Sequence, residues 1–183
     1  ITTNKTRIIS RNQQMMRLDA EVTHDLDTKD EDDLLEKIIS FIETEDPDVM
    51  IFEDYNKGVL TERIIHEAIS LCREAGIVTA IDPKRKNFFS YQHADIFKPN
   101  LKEVKEALNL LFDDVNKPLL ENIHREFENM LHHHVSFITL SEKGIFYQQD
   151  EKSGIIPSHR RSIADVSGAG DTVIAVAALV YAA

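Results

Sequence analysis

Four short apolar runs, Val49-Met50-Ile51-Phe52 and residues 77–81, 96–98 and 135–140, alternate with stretches whose apolar residues recur at helical spacing. Few architectures satisfy that pattern. A run of four to six apolar residues suits a strand covered on both faces, and strands separated by helices are joined by crossovers that make neighbours parallel. The first helical stripe is Leu34, Leu35, Ile38, Ile39 and Ile42, opened by the acidic segment 24–33 and ending before Asp46-Pro47. The second is Ile64, Ile65, Ala68, Ile69 and Cys72, capped by Thr61 and stopped by Gly76. Val104, Leu108 and Leu111 follow Pro99-Asn100 as a third, and residues 119–131 form a fourth. Only the link between the second and third strands is too short for a helix of usual length, so a single-turn or irregular crossover is expected there. Beyond the fourth strand, residues 144–149 and 155–157 flank Asp150-Glu151-Lys152-Ser153-Gly154 as a β-hairpin. Residues 1–23 alternate poorly and predict a strand pair with one exposed face. The expected class is α/β: a largely parallel sheet flanked by helices, residues 24–183, preceded by a small β segment, residues 1–23.

At 183 residues and 42% hydrophobic content the chain can bury a substantial core. It opens on Ile1 and stops at Ala183 inside a helical run, and is read as a portion of a longer protein. The formal charge of −11 disfavours a general nucleic-acid binder, which needs clustered Lys and Arg. One cysteine, Cys72, allows no internal disulfide and lies on an apolar helix face, so a core role in a reducing, cytoplasmic setting is expected. No apolar run is long enough to cross a membrane. Neither G-x-G-x-x-G after an early strand nor G-x-x-x-x-G-K-[ST] occurs, which disfavours dinucleotide-dependent oxidoreductases and P-loop enzymes. Consecutive residues on a helix point in different directions, so the triplet His132-His133-His134 is a poor chelate and is read as a helix end.

In an open parallel sheet ligands bind beyond the carboxyl ends of the strands. Asp54, Asn56 and Lys57 follow the first run; Asp82, Lys84, Arg85 and Lys86 the second; Lys98, Asn100 and Glu103 stand at the third; Ser141, Glu142 and Lys143 follow the fourth. Loops are polar in any protein, but lysines gathered at one edge of an acidic chain suit a polyanion. Asn100 and Glu103, three apart at a helix start, form either a capping box or a pair that orients a hydrated Mg²⁺. Near the end, Asp165-Val166-Ser167-Gly168-Ala169-Gly170-Asp171 feeds an apolar helical run, 172–183, expected to be buried. A glycine turn at a helix N-terminus presents free amides to an anion, and Asp171 places a carboxylate beside it. That pairing serves phosphoryl transfer, with amides holding the phosphoryl oxygens and a carboxylate taking the proton of the attacking hydroxyl. It serves equally a tight helix-to-sheet contact with a first-turn charge.

The string Asp-Val-Ser-Gly-Ala-Gly-Asp-Thr resembles the C-terminal signature of the ribokinase-like (PfkB) carbohydrate kinases. The resemblance implies ATP and Mg²⁺ as cofactors, Asp171 as catalytic base, and Gly168, Ala169 and Gly170 as an anion hole. Asn100-Leu101-Lys102-Glu103 resembles the family's Asn-x-x-Glu motif, which implies contact with magnesium and phosphate through water. Ser141, Glu142 and Gly144 would lie along the nucleotide, while Lys57 and Lys84 become candidates for phosphate contacts. Several further stretches are similar to the branch that phosphorylates D-glycero-β-D-manno-heptose 7-phosphate: residues 2–7, 12–19, Asp54-Tyr55-Asn56-Lys57-Gly58, Asp82-Pro83-Lys84 and residues 98–103. For that branch the implied substrate is a small sugar phosphate on the route to ADP-heptose and lipopolysaccharide cores, and residues 1–23 would be part of a β-lid that also serves homodimerisation. Arg85 stands where a glycine commonly follows the Asp-Pro-Lys motif. The likeness covers only the later part of such a domain, without the earlier glycine-rich sugar motifs, so the chain alone is not expected to be a competent enzyme. The alternatives are another sugar or nucleoside kinase of the family, and a non-catalytic ligand-binding module on the same fold.

Overall fold

A computed structural model describes residues 3–11, 13–112, 114–158 and 168–183. The chain opens with β1 (Asn4–Ser10) and β2 (Gln13–Ala20), an antiparallel pair with an irregularity in register between Ile8 and Ile9. One exposed face was the expectation from its sequence. Instead every residue of β1 and residues 15–20 of β2 are exposed, so neither face of the pair is packed away. Ile8, Ile9, Met15, Met16 and Leu18 all lie open to solvent.

Helix α1 (Thr28–Glu45) starts where Asp27 accepts the Asp30 amide and ends at Asp46 in the left-handed region. It is followed by β3 (Val49–Glu53), α2 (Glu62–Ala75), β4 (Val78–Asp82), a single 3₁₀ turn Arg85–Asn87, and β5 (Ile96–Phe97). Next come α3 (Leu101–Ala107), α4 (Lys117–Leu131), β6 (Val135–Thr139), β7 (Ile145–Gln149), β8 (Lys152–Ile156) and α5 (Ala169–Ala182). Strands β3 to β8 form one six-stranded sheet in chain order; the first four are mutually parallel and the last two antiparallel. The short second crossover is thus the single turn that its length required.

Successive strand residues face opposite sides of the sheet, and the two sides are furnished differently. Phe52, Ile81, Phe97 and Ile138 point to the larger core, where they meet Ile65, Ala68 and Ile69 of α2 and Leu120, Ile123, Phe127 and Leu131 of α4. Each such fully buried side chain contributes about 1.5–3 kcal/mol relative to exposure. Ala80, Ile96 and Val135 point the other way, where α5 covers them with Ile174 and Ala178.

Several local expectations are corrected. Strand β3 is an edge strand and Ile51 is 39% exposed, so it is not covered on both faces. Helix α3 ends at Ala107, because Asn109 turns to φ 50; Leu111 therefore lies outside the helix, fully exposed. The hairpin turn is tighter than the glycine suggested: Lys152–Gly154 already belong to β8, and Asp150 with φ 49 makes the turn. Helix α5 is buried on one stripe only, with Val176, Leu179 and Val180 exposed.

Candidate active site

The carboxyl ends of β3, β4 and β5 and the first turn of α5 converge on one cluster of charges, on the α5 side of the sheet. Asp82 closes β4, and Pro83 after it cannot donate to a ladder. The Asp82 carboxylate lies between two lysines: Lys98 Nζ is 2.9 Å from Oδ2 and Lys84 Nζ is 3.6 Å from Oδ1. Lys98 follows β5 directly, its amide bonded to the Ile81 carbonyl, and its side chain is only 4% exposed. Lys84 Nζ continues the chain of contacts to Glu103 Oε1 at 2.6 Å. Burial alone would lower the Lys84 pKa, but the hydrogen bond it donates to Glu103 and the charge of Asp82 outweigh it and raise it. Glu103 Oε2 accepts the Asn100 amide at 2.8 Å, and Asn100 Oδ1 accepts the Glu103 amide at 2.9 Å. The capping box is therefore real, and it holds the carboxylate toward Lys84.

Above this network stands α5. Gly168, its N-cap, has φ 78 and provides no side-chain cap, while its carbonyl accepts both the amide and the hydroxyl of Thr172 at 2.9 Å. The amides of Ala169, Gly170 and Asp171 thus begin the helix without intrahelical acceptors, the arrangement that binds anions. A Cβ at Gly170 would lie 3.6 Å from Lys98 Nζ and 3.7 Å from Asp82 Oδ2, which fixes the helix turn directly over the Lys98–Asp82 pair. Asp171 is close enough to Glu53 and Tyr55 to matter electrostatically: partial burial, then the charges of Asp171 and Asp82, raise the Glu53 pKa, with Lys98 opposing. Tyr55 is raised by partial burial and then by the charges of Asp171, Glu53 and Asp82, with Lys84 opposing. Asp165, Val166 and Ser167 of the signature lie outside the described residues.

The turn after β3 is built by its own side chains. Asp54 Oδ1 accepts the Asn56 amide at 2.7 Å, and buried Tyr91 donates to Asp54 Oδ2 at 2.9 Å. Gly58, at φ 79, packs so closely on the linker after β2 that a Cβ would fall 1.8 Å from the His24 carbonyl oxygen. Lys57 pairs with Glu21, and Lys5 lies 5.3 Å above the Tyr55 ring, so two contacts tie the β1–β2 pair to this turn. Between them opens a cavity of about 760 Å³ with Asp54, Tyr55 and Lys57 at its polar side and Leu34, Ile38 and Phe52 at its apolar side. At the far end of the same edge, Thr139 bridges to Asn100, and the 3₁₀ turn Ser141–Lys143 follows. Ser141 and Glu142 are exposed there, and Gly144, at φ 102, passes so close to β8 that a Cβ would meet the Ile156 carbonyl oxygen at 2.0 Å. Packing thus already requires that glycine.

Sequence reasoning placed Lys98 and Asp82 at this edge but missed their pairing beneath Gly170, as well as Glu53 and Tyr91. Strand alternation carries part of the signal, since Asp82 shares a face with Ala80, and Lys98 with Ile96. The three histidines diverge: His132 is the left-handed C-cap of α4, His133 is buried, and His134 Nδ1 lies 3.2 Å from Asp95 Oδ1. Among the described residues no group of three or more His, Cys, Asp or Glu could hold a metal ion.

Residues 2–183 match the profile of the pfkB family of carbohydrate kinases. The chain belongs to that family. Among curated proteins, bifunctional protein HldE of Helicobacter acinonychis is 37% identical over 177 residues, covering 95% of this chain and 37% of the relative. HldE of Desulfatibacillum aliphaticivorans is 34% identical over 185 residues, covering 100% of this chain and again 37% of the relative. The chain therefore spans little more than a third of the length of these curated relatives. Among solved structures, Escherichia coli phosphofructokinase-2 in complex with substrates and products superposes with a TM-score of 0.74 at 15% identity, over 98% of this chain and 57% of that one. Ribokinase of Giardia lamblia gives 0.65 at 17% identity, over 94% and 53%. At such identities the likeness speaks for the fold: a ribokinase-like α/β sheet with a small antiparallel pair. No helix among the described residues is long and apolar enough to cross a membrane.

Proposed function

We propose that this chain is the phosphoryl-transfer portion of an ATP-dependent kinase acting on the anomeric hydroxyl of D-glycero-β-D-manno-heptose 7-phosphate, giving the 1,7-bisphosphate. The observation that carries this reading is the position of Asp171 in the first turn of α5, beside uncapped amides and above the Lys98–Asp82 pair. In the reaction the sugar hydroxyl oxygen bonds to the γ-phosphorus of ATP, the bond from that phosphorus to the β,γ-bridging oxygen breaks, and ADP leaves. Asp171 takes the hydroxyl proton as the oxygen attacks, and the amides of Gly168, Ala169 and Gly170 hold the phosphoryl oxygens as charge shifts onto them. The heptose assignment draws its support from the 34–37% identity to HldE along nearly the whole chain.

The site suits Mg²⁺ as a hydrated ion. Both oxygens of Glu103 are already engaged, by Lys84 and by the Asn100 amide, so direct ligation would cost those bonds, whereas a water shell reaches their remaining lone pairs. Asn100 and Glu103 would hold it in that way, and the ion would neutralise phosphate charge. Ser141, Glu142 and Gly144 are assigned to the nucleotide side. Lys84 is assigned to phosphate, and Lys57 to the sugar phosphate at the cavity, where it would exchange Glu21 for the ligand. Residues 1–23 act as lid and, through their exposed apolar side chains, as a homodimer contact; the reaction belongs in the cytoplasm, with soluble substrates.

The test is ATP-dependent phosphorylation of the heptose 7-phosphate by the full-length protein, followed by phosphorus NMR beside a panel of common sugars. A new anomeric phosphate with the heptose alone supports the assignment. Turnover of another sugar overturns the substrate and leaves the chemistry standing, while no turnover with any sugar favours a binding module.

A further inference from the structure

Tyr91 lies in the crossover between β4 and β5 and is fully buried, its ring edge-on to Phe52 at 6.2 Å. Phenylalanine would fill that space equally well, and a buried hydroxyl is a cost unless it is bonded. Here it donates to Asp54 Oδ2 at 2.9 Å. Burial and the Asp54 charge hold the Tyr91 pKa well above its ordinary value, so the phenol stays the donor. Asp54 is buried in turn, at 4% exposure. Its other oxygen accepts the amide of Asn56 at 2.7 Å, the bond that shapes an Asx turn, and its own amide reaches the Asp82 carbonyl at 3.1 Å. A desolvated carboxylate is unfavourable in itself, so this one asks for a use. The turn it starts needs holding. Strand β3 is an edge strand, and Asn56 at φ 53 is left-handed without being glycine, a conformation that persists only where the surroundings fix it. At the far end of the turn Asn87 Nδ2 donates to the Leu60 carbonyl at 2.5 Å. Tyr91 and Asn87 thus grip both ends of residues 54–60 from one segment, which Phe88 anchors in the larger core. Between the two grips the turn presents Tyr55 and Lys57 to the cavity.

We propose that Tyr91 and Asn87 are positioning residues for the phosphate of the sugar phosphate: neither touches the ligand, and together they set Lys57 where it meets it. The inference rests on the assignment of Lys57 to that phosphate made above. A lysine stem is flexible, so its ammonium is placed only as well as the backbone that carries it. Tyr91 acts through the Asp54 carboxylate and Asn87 through the Leu60 carbonyl. With either grip removed the turn opens locally, and affinity falls by the fraction of time in which it is competent. The phosphoryl transfer itself is untouched, since neither side chain gives or takes a proton in it.

The full-length protein is tested as Tyr91→Phe, which keeps the ring, and as Asn87→Ala, with Lys57→Met as the reference. Calorimetry gives the Kd of D-glycero-β-D-manno-heptose 7-phosphate, and kinetics give KM and kcat. Each single variant is expected to raise Kd and KM for the sugar phosphate about tenfold, with kcat and the KM for ATP within about threefold of wild type. In the Lys57→Met background the same changes add less than about twofold, because they act through that lysine. A Kd within about twofold of wild type in either single variant overturns the role of that residue and leaves its bond a structural one, whatever happens to the melting temperature. An undiminished effect in the Lys57→Met background overturns the proposal as a whole. Wild type that binds the sugar phosphate without turning it over fails the kinase reading and leaves this test intact, while wild type that does not bind it overturns both. Should neither variant fold, wild-type crystals with the heptose 7-phosphate decide. Lys57 Nζ within about 3.2 Å of a phosphate oxygen, with both grips kept, supports the proposal, and a longer separation overturns it.

Discussion

The two faces of the central sheet each bury a polar cluster, and they have little in common. On the α4 side, Ser136 accepts or donates between two buried histidines, 2.8 Å from His124 Nδ1 and 2.7 Å from His133 Nε2. No formal charge is involved, and aromatic rings close the space: His133 packs against Phe97 and His124. On the α5 side, Lys98, Asp82, Lys84 and Glu103 are linked by ion pairs in a row, beneath Gly170. Neutral groups that satisfy one another stabilise a core. Buried charges that pair with one another are a cost that packing alone does not explain. The contrast separates a polar cluster that serves folding from one that the proposed function assigns to chemistry.

That separation can be broken most forcefully at Asp171. Asp171→Asn is expected to lower turnover by about 10²–10⁴-fold, the contribution of a positioned general base, with an unchanged thermal transition. A large loss of stability with modest loss of rate would make Asp171 a structural first-turn charge. On the other face the signature should be reversed. Ser136→Ala leaves two buried rings short of a partner and is expected to cost about 1–3 kcal/mol in urea unfolding, with kcat per folded molecule unchanged.

Acid provides a subtler probe of the histidine face. Burial holds the His133 pKa down to about 3, with the charges of His124 and His134 adding to it, and burial also lowers His124, where Glu128 and Asp150 oppose and Arg125 reinforces. Folded pKa values below the unfolded value mean that the unfolded chain takes up protons first. Stability from this cluster is then complete above about pH 6.5 and falls as pH drops below it, for His133 by up to about 1.4 kcal/mol per unit until pH approaches 3. Between pH 7 and 5 the loss attributable to His133 is about 2 kcal/mol, measured as the difference in unfolding free energy between wild type and a His133→Gln variant. A variant with the same pH slope would remove His133 as its source. The smallest effect is expected at Gly168→Ala, where φ 78 imposes about 1–2 kcal/mol of strain on a side chain that meets nothing within 4 Å. Calorimetry would register it as a shift of a few degrees.

Much of this contrast was legible beforehand. Apolar stripes located α2 to within a residue, with Thr61 accepting the Ile64 amide and Gly76 in the left-handed region, because caps and stops are local chemistry. The glycine-rich signature placed Asp171 in the first turn of α5 for the same reason. What escaped depends on distant neighbours. Nothing in the apolar run 49–52 says that β3 lies at an edge, and nothing in the apolar helix α5 says that Val176, Leu179 and Val180 stay outside. Lys98 reads as one lysine among several until parallel pairing brings β5 beside β4. His133 and Ser136 are three residues apart, but their partner His124 comes from the preceding helix, so no spacing rule joins all three.

Gly58 carries a consequence for genetics. Its missing side chain is all that lets the linker after β2 lie against the turn that ends in the site, with the Leu26 amide bonded to the Gly58 carbonyl at 3.0 Å. A single added methyl would part those two segments while leaving the six-stranded sheet in place. Substitution there is expected to yield a temperature-sensitive allele: growth at a permissive temperature, and at a higher one a hairpin cut loose from the turn after β3.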